Sequence, residues 1–386
     1  MAQRSSCVRI EGTEAGAFGY NMQVSLEAPH SAGPALPQSS VKTHSNELRR
    51  LGGTDLSVGA AALGVMTFGA KTAQEDAFRQ LDIAFAAGIN LFDTAENYPA
   101  PVLAETQGRS EEILGRWIAE RGMRSRVIIA TKVAGPGNAA GDMAHIRGTE
   151  RRLDRANIFA AVDGSLRRLR TDYIDLYQIH WPERPITTLG RTRFSYIPDA
   201  PFLVPIEDTL AALGELTAAG KIRYIGVANE SAWGVMRYLS EAQQKGLPRI
   251  VSIQNSYSLL DRQFEIGLAE IAMRERVGLL AYSPLGRGLL SGKYTDGSTR
   301  TEANTRFSEK KRSITAAYAS LAKRYAMDLP TMALAFARQK PFTTAVLMAA
   351  SNASQLEANL KSIDVTLPKE LMKEIDLIHD DSPNPR

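Results

Sequence analysis

From about residue 47 onward, short apolar runs rich in Ile, Val, Leu and Ala alternate with stretches of helical period, eight times over. That alternation implies parallel strands joined by helical crossovers. Strands are expected near 60–65, 89–93, 127–132, 174–180, 222–228, 250–255, 277–282 and 343–349. Helices are expected near 73–87, 108–121, 155–170, 206–219, 231–245, 261–275, 330–339 and 352–361. Eight of each is the count of a closed (β/α)8 TIM barrel, an α/β fold. Residues 51–57, Leu51-Gly52-Gly53-Thr54-Asp55-Leu56-Ser57, read as an extra hairpin placed to plug the amino-terminal end, and an extra helix is expected at the C-terminus. The expected barrel domain is 47–386, which lies within the size range of such barrels. Residues 1–46 show no sustained period and end in the turn-rich stretch Pro29 to Pro37, so they read as a disordered extension.

Composition narrows the class. A chain that is 44% hydrophobic and 23% charged is globular, and it contains no run of about 18 apolar residues such as a membrane span needs. A formal charge of +4 over 386 residues is small, and Arg167-Arg168-Arg170 and Lys310-Lys311-Arg312 read as solvated helix faces, so neither a nucleic-acid nor a membrane partner is expected. The single Cys7 suits a reducing compartment and a cytoplasmic location. The five histidines, His30, His44, His145, His180 and His379, form no ligand-spaced pair, so no metal is expected. Nothing in the sequence sets an oligomeric state.

Asp93, Tyr98, Lys132 and His180 each follow the carboxyl end of an apolar run: 89–92, 127–131 and 174–179. In a parallel barrel those ends share one rim, where such folds do chemistry. A phenol, with a reference pKa near 10, is a mediocre acid at neutral pH. A nearby ammonium favours its conjugate base, so Lys132 is expected to lower the pKa of Tyr98, with Asp93 as the partner of the lysine. His180 offers a ring nitrogen to orient a substrate oxygen. The group suits hydride addition to a carbonyl, where charge growing on oxygen has to be protonated. Each residue alone has a plainer reading, as a helix cap, a loop aromatic, a solvated strand end or a structural histidine; their joint placement carries the assignment.

Asp93-Thr94-Ala95-Glu96-Asn97-Tyr98-Pro99, Ala130-Thr131-Lys132, Gln178-Ile179-His180-Trp181-Pro182-Glu183-Arg184 and Gly234-Val235-Met236-Arg237-Tyr238 together resemble the aldo-keto reductases, nearest to their Tas-like branch. The resemblance spans roughly 47–379. It implies a barrel enzyme that uses NADPH to reduce a small carbonyl substrate, with Asp93, Tyr98, Lys132 and His180 as catalytic tetrad. For the cofactor it implies Val65 and Met66 after the first strand, Asn229 and Gln254 on the nicotinamide amide, and Tyr282 stacked on the ring. Ser283, Leu285, Gly286, Gly288 and Lys293 would follow along the pyrophosphate, and Ser351, Gln355 and Asn359 at the adenosine. Ala228 and Val65 replace hydroxyl-bearing residues of the family, and Ala349 replaces a glycine. No basic residue occurs from Ala349 to Asn359, which leaves a 2′-phosphate to Lys293 and Arg306.

Long connections at 134–154, 182–205 and 284–312 follow strands and are expected over the rim. The middle one, with Arg184, Phe194, Tyr196, Ile197 and Phe202, reads either as the wall of a substrate pocket shared with Trp181 or as a surface excursion packed on itself. Two other functions fit the same residues: an NADP(H)-sensing regulatory subunit with little turnover, and a Schiff-base aldolase using Lys132.

Overall fold

The computed structural model describes residues 44–385 apart from 138–142, 149–150, 187–193, 195–202 and 295–306. Tyr196, Ile197, Phe202, Arg306 and nearly all of the expected extension therefore lie outside the described residues.

Two short strands, β1 (Leu48–Arg50) and β2 (Ser57–Gly59), pair antiparallel and precede the barrel. Its strands are β3 (Ala61–Gly64), β4 (Leu91–Asp93), β5 (Ile128–Val133), β6 (Ile174–Ile179), β7 (Ile222–Ala228), β8 (Ile250–Ser256), β9 (Gly278–Tyr282) and β10 (Thr343–Met348). All neighbours run parallel, and β10 pairs with β3 to close the cylinder. The eight-stranded (β/α)8 barrel is thus present, with each strand's bounds within two residues of the expected ones.

Strand period explains where the site sits. Successive side chains point to opposite faces. Phe92, Ile129, Val133, Tyr177, Ile225 and Val227 face outward into the large core shared with the helices. Leu91, Ile128, Ala130, Leu176, Val251, Leu280, Ala345 and Leu347 face inward and form a second core with Leu51, Leu56 and Val58 of the hairpin, which fill the barrel floor as anticipated. Two residues further along the same inward faces stand Asp93, Lys132 and Gln178. The barrel therefore has an apolar floor and, above it, a polar layer.

The surrounding helices are α1 (Gln74–Ala86), α2 (Arg109–Arg121), α3 (Arg155–Leu169), α4 (Ile206–Ala218), α5 (Ala232–Lys245), α6 (Leu268–Glu275), α7 (Glu309–Arg324), α8 (Leu329–Gln339), α9 (Ala353–Leu360) and α10 (Lys369–Asp381). The extra C-terminal helix is α10. Two departures have simple causes. The helix expected over 261–275 is a short 3-10 turn, Gln263–Glu265, followed by α6, because Gly267 at φ +85° breaks the run. Helix α7, capped by the Ser308 side chain on Lys311 N–H, is additional to the one-helix-per-strand reading. Among the described residues no helix is long and apolar enough to cross a membrane.

Candidate active site

Lys132 lies on β5 beside β4, whose last residue is Asp93. Its ammonium donates to Asp93 Oδ2 at 2.6 Å and to Thr94 O at 2.7 Å, and both members of the pair are buried. The same ammonium lies 5.1 Å from the centroid of the Tyr98 ring. Tyr98 is half-buried, and its ring meets that of His180 edge-on with centroids 5.6 Å apart. The four residues named from the sequence thus converge at one point on the carboxyl-terminal rim.

Their electrostatics differ from the expectation in one respect. Burial, and after it the negative charge of Asp93, holds the Tyr98 phenol above its ordinary value, so Lys132 does not make it a stronger acid here. Enclosure of the ring is the larger cause, and the ammonium offsets it little because, 2.6 Å from a carboxylate, it acts on the ring mainly as part of an ion pair. Burial also pulls Lys132 below the usual lysine range, opposed by Asp93. His180 is pushed well below its ordinary value by burial and then by Lys132, so its ring is neutral at pH 7. Its Nδ1 lies 3.0 Å from Asn97 Oδ1.

Buried ion pairs fix the segment that carries Tyr98. Glu96 takes Ala134 N–H at 2.6 Å and both terminal nitrogens of Arg147, at 2.5 and 2.7 Å, tying the loop after β5 to the Asp93–Tyr98 segment. Trp181 packs against His180, centroids 4.9 Å apart, and donates to Pro136 O at 2.8 Å. Arg184 spans to the next strand: its guanidinium pairs with both oxygens of buried Glu230, contacts Ser231 Oγ at 3.1 Å and lies 4.8 Å from the Trp233 ring centroid. Arg184 is therefore a clamp between the ends of β6 and β7, its fork already engaged.

The residues expected to hold a nicotinamide dinucleotide fall into three groups. Asn229, at φ +54°, donates to His180 O at 2.8 Å and accepts from Tyr282 OH at 2.7 Å, which joins the tetrad to the end of β9. Burial raises the Tyr282 phenol to about 12. Gln254 is turned inward and donates to Asp93 Oδ1 at 2.8 Å. Val65 is buried, while Met66 is exposed at the rim.

A polar cavity of about 410 Å³ opens beside Tyr282, lined by Asn229, Ser231, Ser256, Ser258, Asp261, Ser283, Gly286, Arg287 and Lys311 among others. Gly286 and Gly288 adopt positive φ, as their place in a tight turn requires, but their N–H groups bond within the turn, to Ser283 O and Leu285 O. The cations facing this cavity are instead Arg287 and Lys311, alongside the carboxylates of Asp261 and of Glu230, the latter already paired with Arg184; neither cation was among the site residues named from sequence. Lys311 sits in the first turn of α7, inside the Lys310-Lys311-Arg312 cluster read as a solvated face; recognising α7 as a helix beginning at the strap after β9 was the available signal. Leu285 and Lys293 flank the turn without lining the cavity. Ser351, Gln355 and Asn359 stand at the neighbouring end of β10 and in α9, where Ser351 N–H donates to Gln355 Oε1 at 3.0 Å and Gln355 N–H to the Asn352 cap at 2.9 Å. These groups could hold a dinucleotide: an aromatic face at Tyr282, an amide at Asn229, and hydroxyls with two cations in a polar cleft that also carries Asp261 and Glu230. Among the described residues no group of three or more His, Cys, Asp or Glu stands together as a metal site.

Comparison with known proteins bears on this site. The sequence pattern of the Aldo/keto reductase family matches residues 56–380. "Protein tas" of Escherichia coli (strain K12) is 47% identical over 341 residues, covering 86% of this chain and 97% of that protein. The "Uncharacterized oxidoreductase YrpG" of Bacillus subtilis is 32% identical over 88% of this chain and 97% of its own length. An "Aldo-keto reductase" of Babesia bovis is 36% identical over 61% of this chain and 89% of its own.

Proposed function

Because the chain belongs to the aldo/keto reductase family, on its Tas-like branch, and is with that an oxidoreductase, we propose that it reduces aldehydes or ketones to alcohols with NADPH, Tyr98 acting as general acid. The observation that carries this reading is the convergence of Tyr98, the Lys132–Asp93 pair and a neutral His180 on one rim, next to the polar cleft of Tyr282.

NADPH, when bound, supplies the hydride. The chain itself does the rest. Its phenol stays protonated across the neutral range, because burial and Asp93 favour the neutral form, and so it is always loaded to protonate the oxygen of an incoming carbonyl. As that proton leaves, charge appears on the phenol, whose ring centroid lies 5.1 Å from the Lys132 ammonium, and the attraction between the two then exceeds that for a neutral ring. A neutral His180 can donate from one nitrogen only. To hold a carbonyl oxygen through Nε2–H it needs Asn97 to present its amide NH2 to Nδ1, which a half-turn of the Asn97 amide supplies in the same space. Arg287 and Lys311 bring positive charge to the cleft for phosphate, and the choice of NADPH over NADH follows the family to which the chain belongs.

Two other readings fare less well. A Schiff-base aldolase needs a reachable neutral amine, whereas Lys132 is buried with its ammonium bonded to Asp93 and Thr94. A nucleotide-sensing subunit would bind NADPH without turnover, although it would have no use for a complete tetrad. No nucleic-acid or membrane partner is proposed, and the single Cys7 favours the cytoplasm. The deciding experiment is NADPH oxidation against a panel of aromatic, aliphatic and dicarbonyl substrates, repeated with NADH. Reduction of at least one class, faster with NADPH, is expected; tight NADPH binding with no turnover across the panel would favour the sensing subunit instead.

A further inference from the structure

The carboxylate that partners Lys132 is itself held from the other side by two buried amides. Gln178 Nε2 donates to Asp93 Oδ1 at 3.1 Å and Gln254 Nε2 to the same oxygen at 2.8 Å, while Gln254 Nε2 also reaches Gln178 Oε1 at 3.2 Å. Lys132 uses the other oxygen, Oδ2, at 2.6 Å. All four side chains are 0–4% exposed. A leucine at position 178 would continue the inward apolar series begun by Leu176; a glutamine there is costly unless its amide is bonded.

The backbone around Gln178 is shaped to admit it. Gln178 pairs in register with Lys132 on one side and Gly226 on the other. A Cβ on Gly226 would stand 2.5 Å from Ser252 Oγ and 3.0 Å from Gln178 Cγ, so the glycine leaves the room the amide needs. We propose that Gln178 is a positioning residue for this site: with Gln254 it fixes the Asp93 carboxylate so that Oδ2 stays on the Lys132 ammonium beneath the Tyr98 ring. If Gln254 is drawn away by a bound cofactor, Gln178 is the remaining side-chain amide on Oδ1. The inference rests on the proposed reductase reading for its kinetic consequence, but its structural content is independent of turnover.

The titratable groups facing Lys132 are Asp93 from β4, Tyr98 beyond it, His180 from β6 and Glu111 from α2. Of these Asp93 is the one that sustains the ammonium most against burial. Releasing Asp93 therefore lets Lys132 lose its proton at lower pH. The test compares wild type with Gln178→Met, which keeps length and removes the amide, in cofactor-free protein carrying isotope-labelled lysine. The Lys132 titration, followed by the NMR signal of its ε-carbon, should move down by about one pH unit. In kinetic runs the alkaline limb of kcat should move the same way, with kcat down about tenfold and KM and NADPH affinity within twofold. Should Gln178→Met not fold, Gln178→Asn carries the same measurement, since its amide is one carbon short of Asp93. An unchanged Lys132 titration in a folded variant overturns the proposal, whether or not the protein reduces carbonyls; a shifted titration in a protein without turnover sustains it and rejects only the reductase reading.

Discussion

At the scale of single residues, Lys132→Met leaves the Asp93 charge buried without its cation, and should cost about 3–5 kcal/mol in urea unfolding. Asp93, Tyr98, Lys132 and His180 were legible because each ends an apolar run, and strand ends of a parallel barrel share a rim. What was not legible was enclosure and distance: burial lifts the phenol, the Asp93 charge lifts it further, and Lys132, 2.6 Å from Asp93, is largely screened from the ring. Gln178 was hidden for a similar reason, since an amide beside Ile179 looks like any strand residue until its partner is known. Folded His180 resists protonation far below the value its unfolded form has, so between those values the unfolded chain binds more protons and stability falls as the pH drops through about 6.5. The stability difference between wild type and His180→Asn should therefore shift against wild type by up to about 1.4 kcal/mol per pH unit below that point; parallel curves down to pH 5 would contradict it.

Among elements, the strands were legible, whereas what anchors the loop after β5 was not. An inward-facing strand side chain has a period to announce it, whereas a loop anchored by single ion pairs does not. Glu96 and Arg147 show this: 51 residues apart, they hold the loop after β5 against the Tyr98 segment through a bidentate pair. Arg147→Met should leave buried Glu96 uncompensated, lower stability by about 3–5 kcal/mol and open residues 143–148 to limited proteolysis before the barrel is cut. Helix α7 was overlooked because one helix was allotted to each strand, and with it went Lys311 in the polar cleft. Helix α8, by contrast, announces itself: Asp328 caps it through Thr331 N–H at 2.7 Å with Pro330 in its first turn. Asp328→Ala should lower the unfolding free energy by about 1 kcal/mol and leave cofactor binding unchanged.

For the whole molecule, the barrel separates stability from chemistry along its axis. Leu51, Leu56 and Val58 close the floor, and the polar layer of Asp93, Lys132, Gln178 and Gln254 lies above it. This division was largely readable, since the alternation of strands and helices and the hairpin at 51–57 both stand in the sequence; the inward polar layer emerges only when the register of neighbouring strands is known. Leu51→Ala, at the floor, should cost about 2–5 kcal/mol while leaving kcat per folded molecule unaltered. Reduction by this site requires that the hydroxyl of Tyr98 protonate the substrate oxygen. That requirement is tested most directly by single-turnover NADPH oxidation in Tyr98→Phe at saturating cofactor: the rate should fall about 10²–10⁴-fold with NADPH affinity retained, and a rate equal to that of wild type would contradict it.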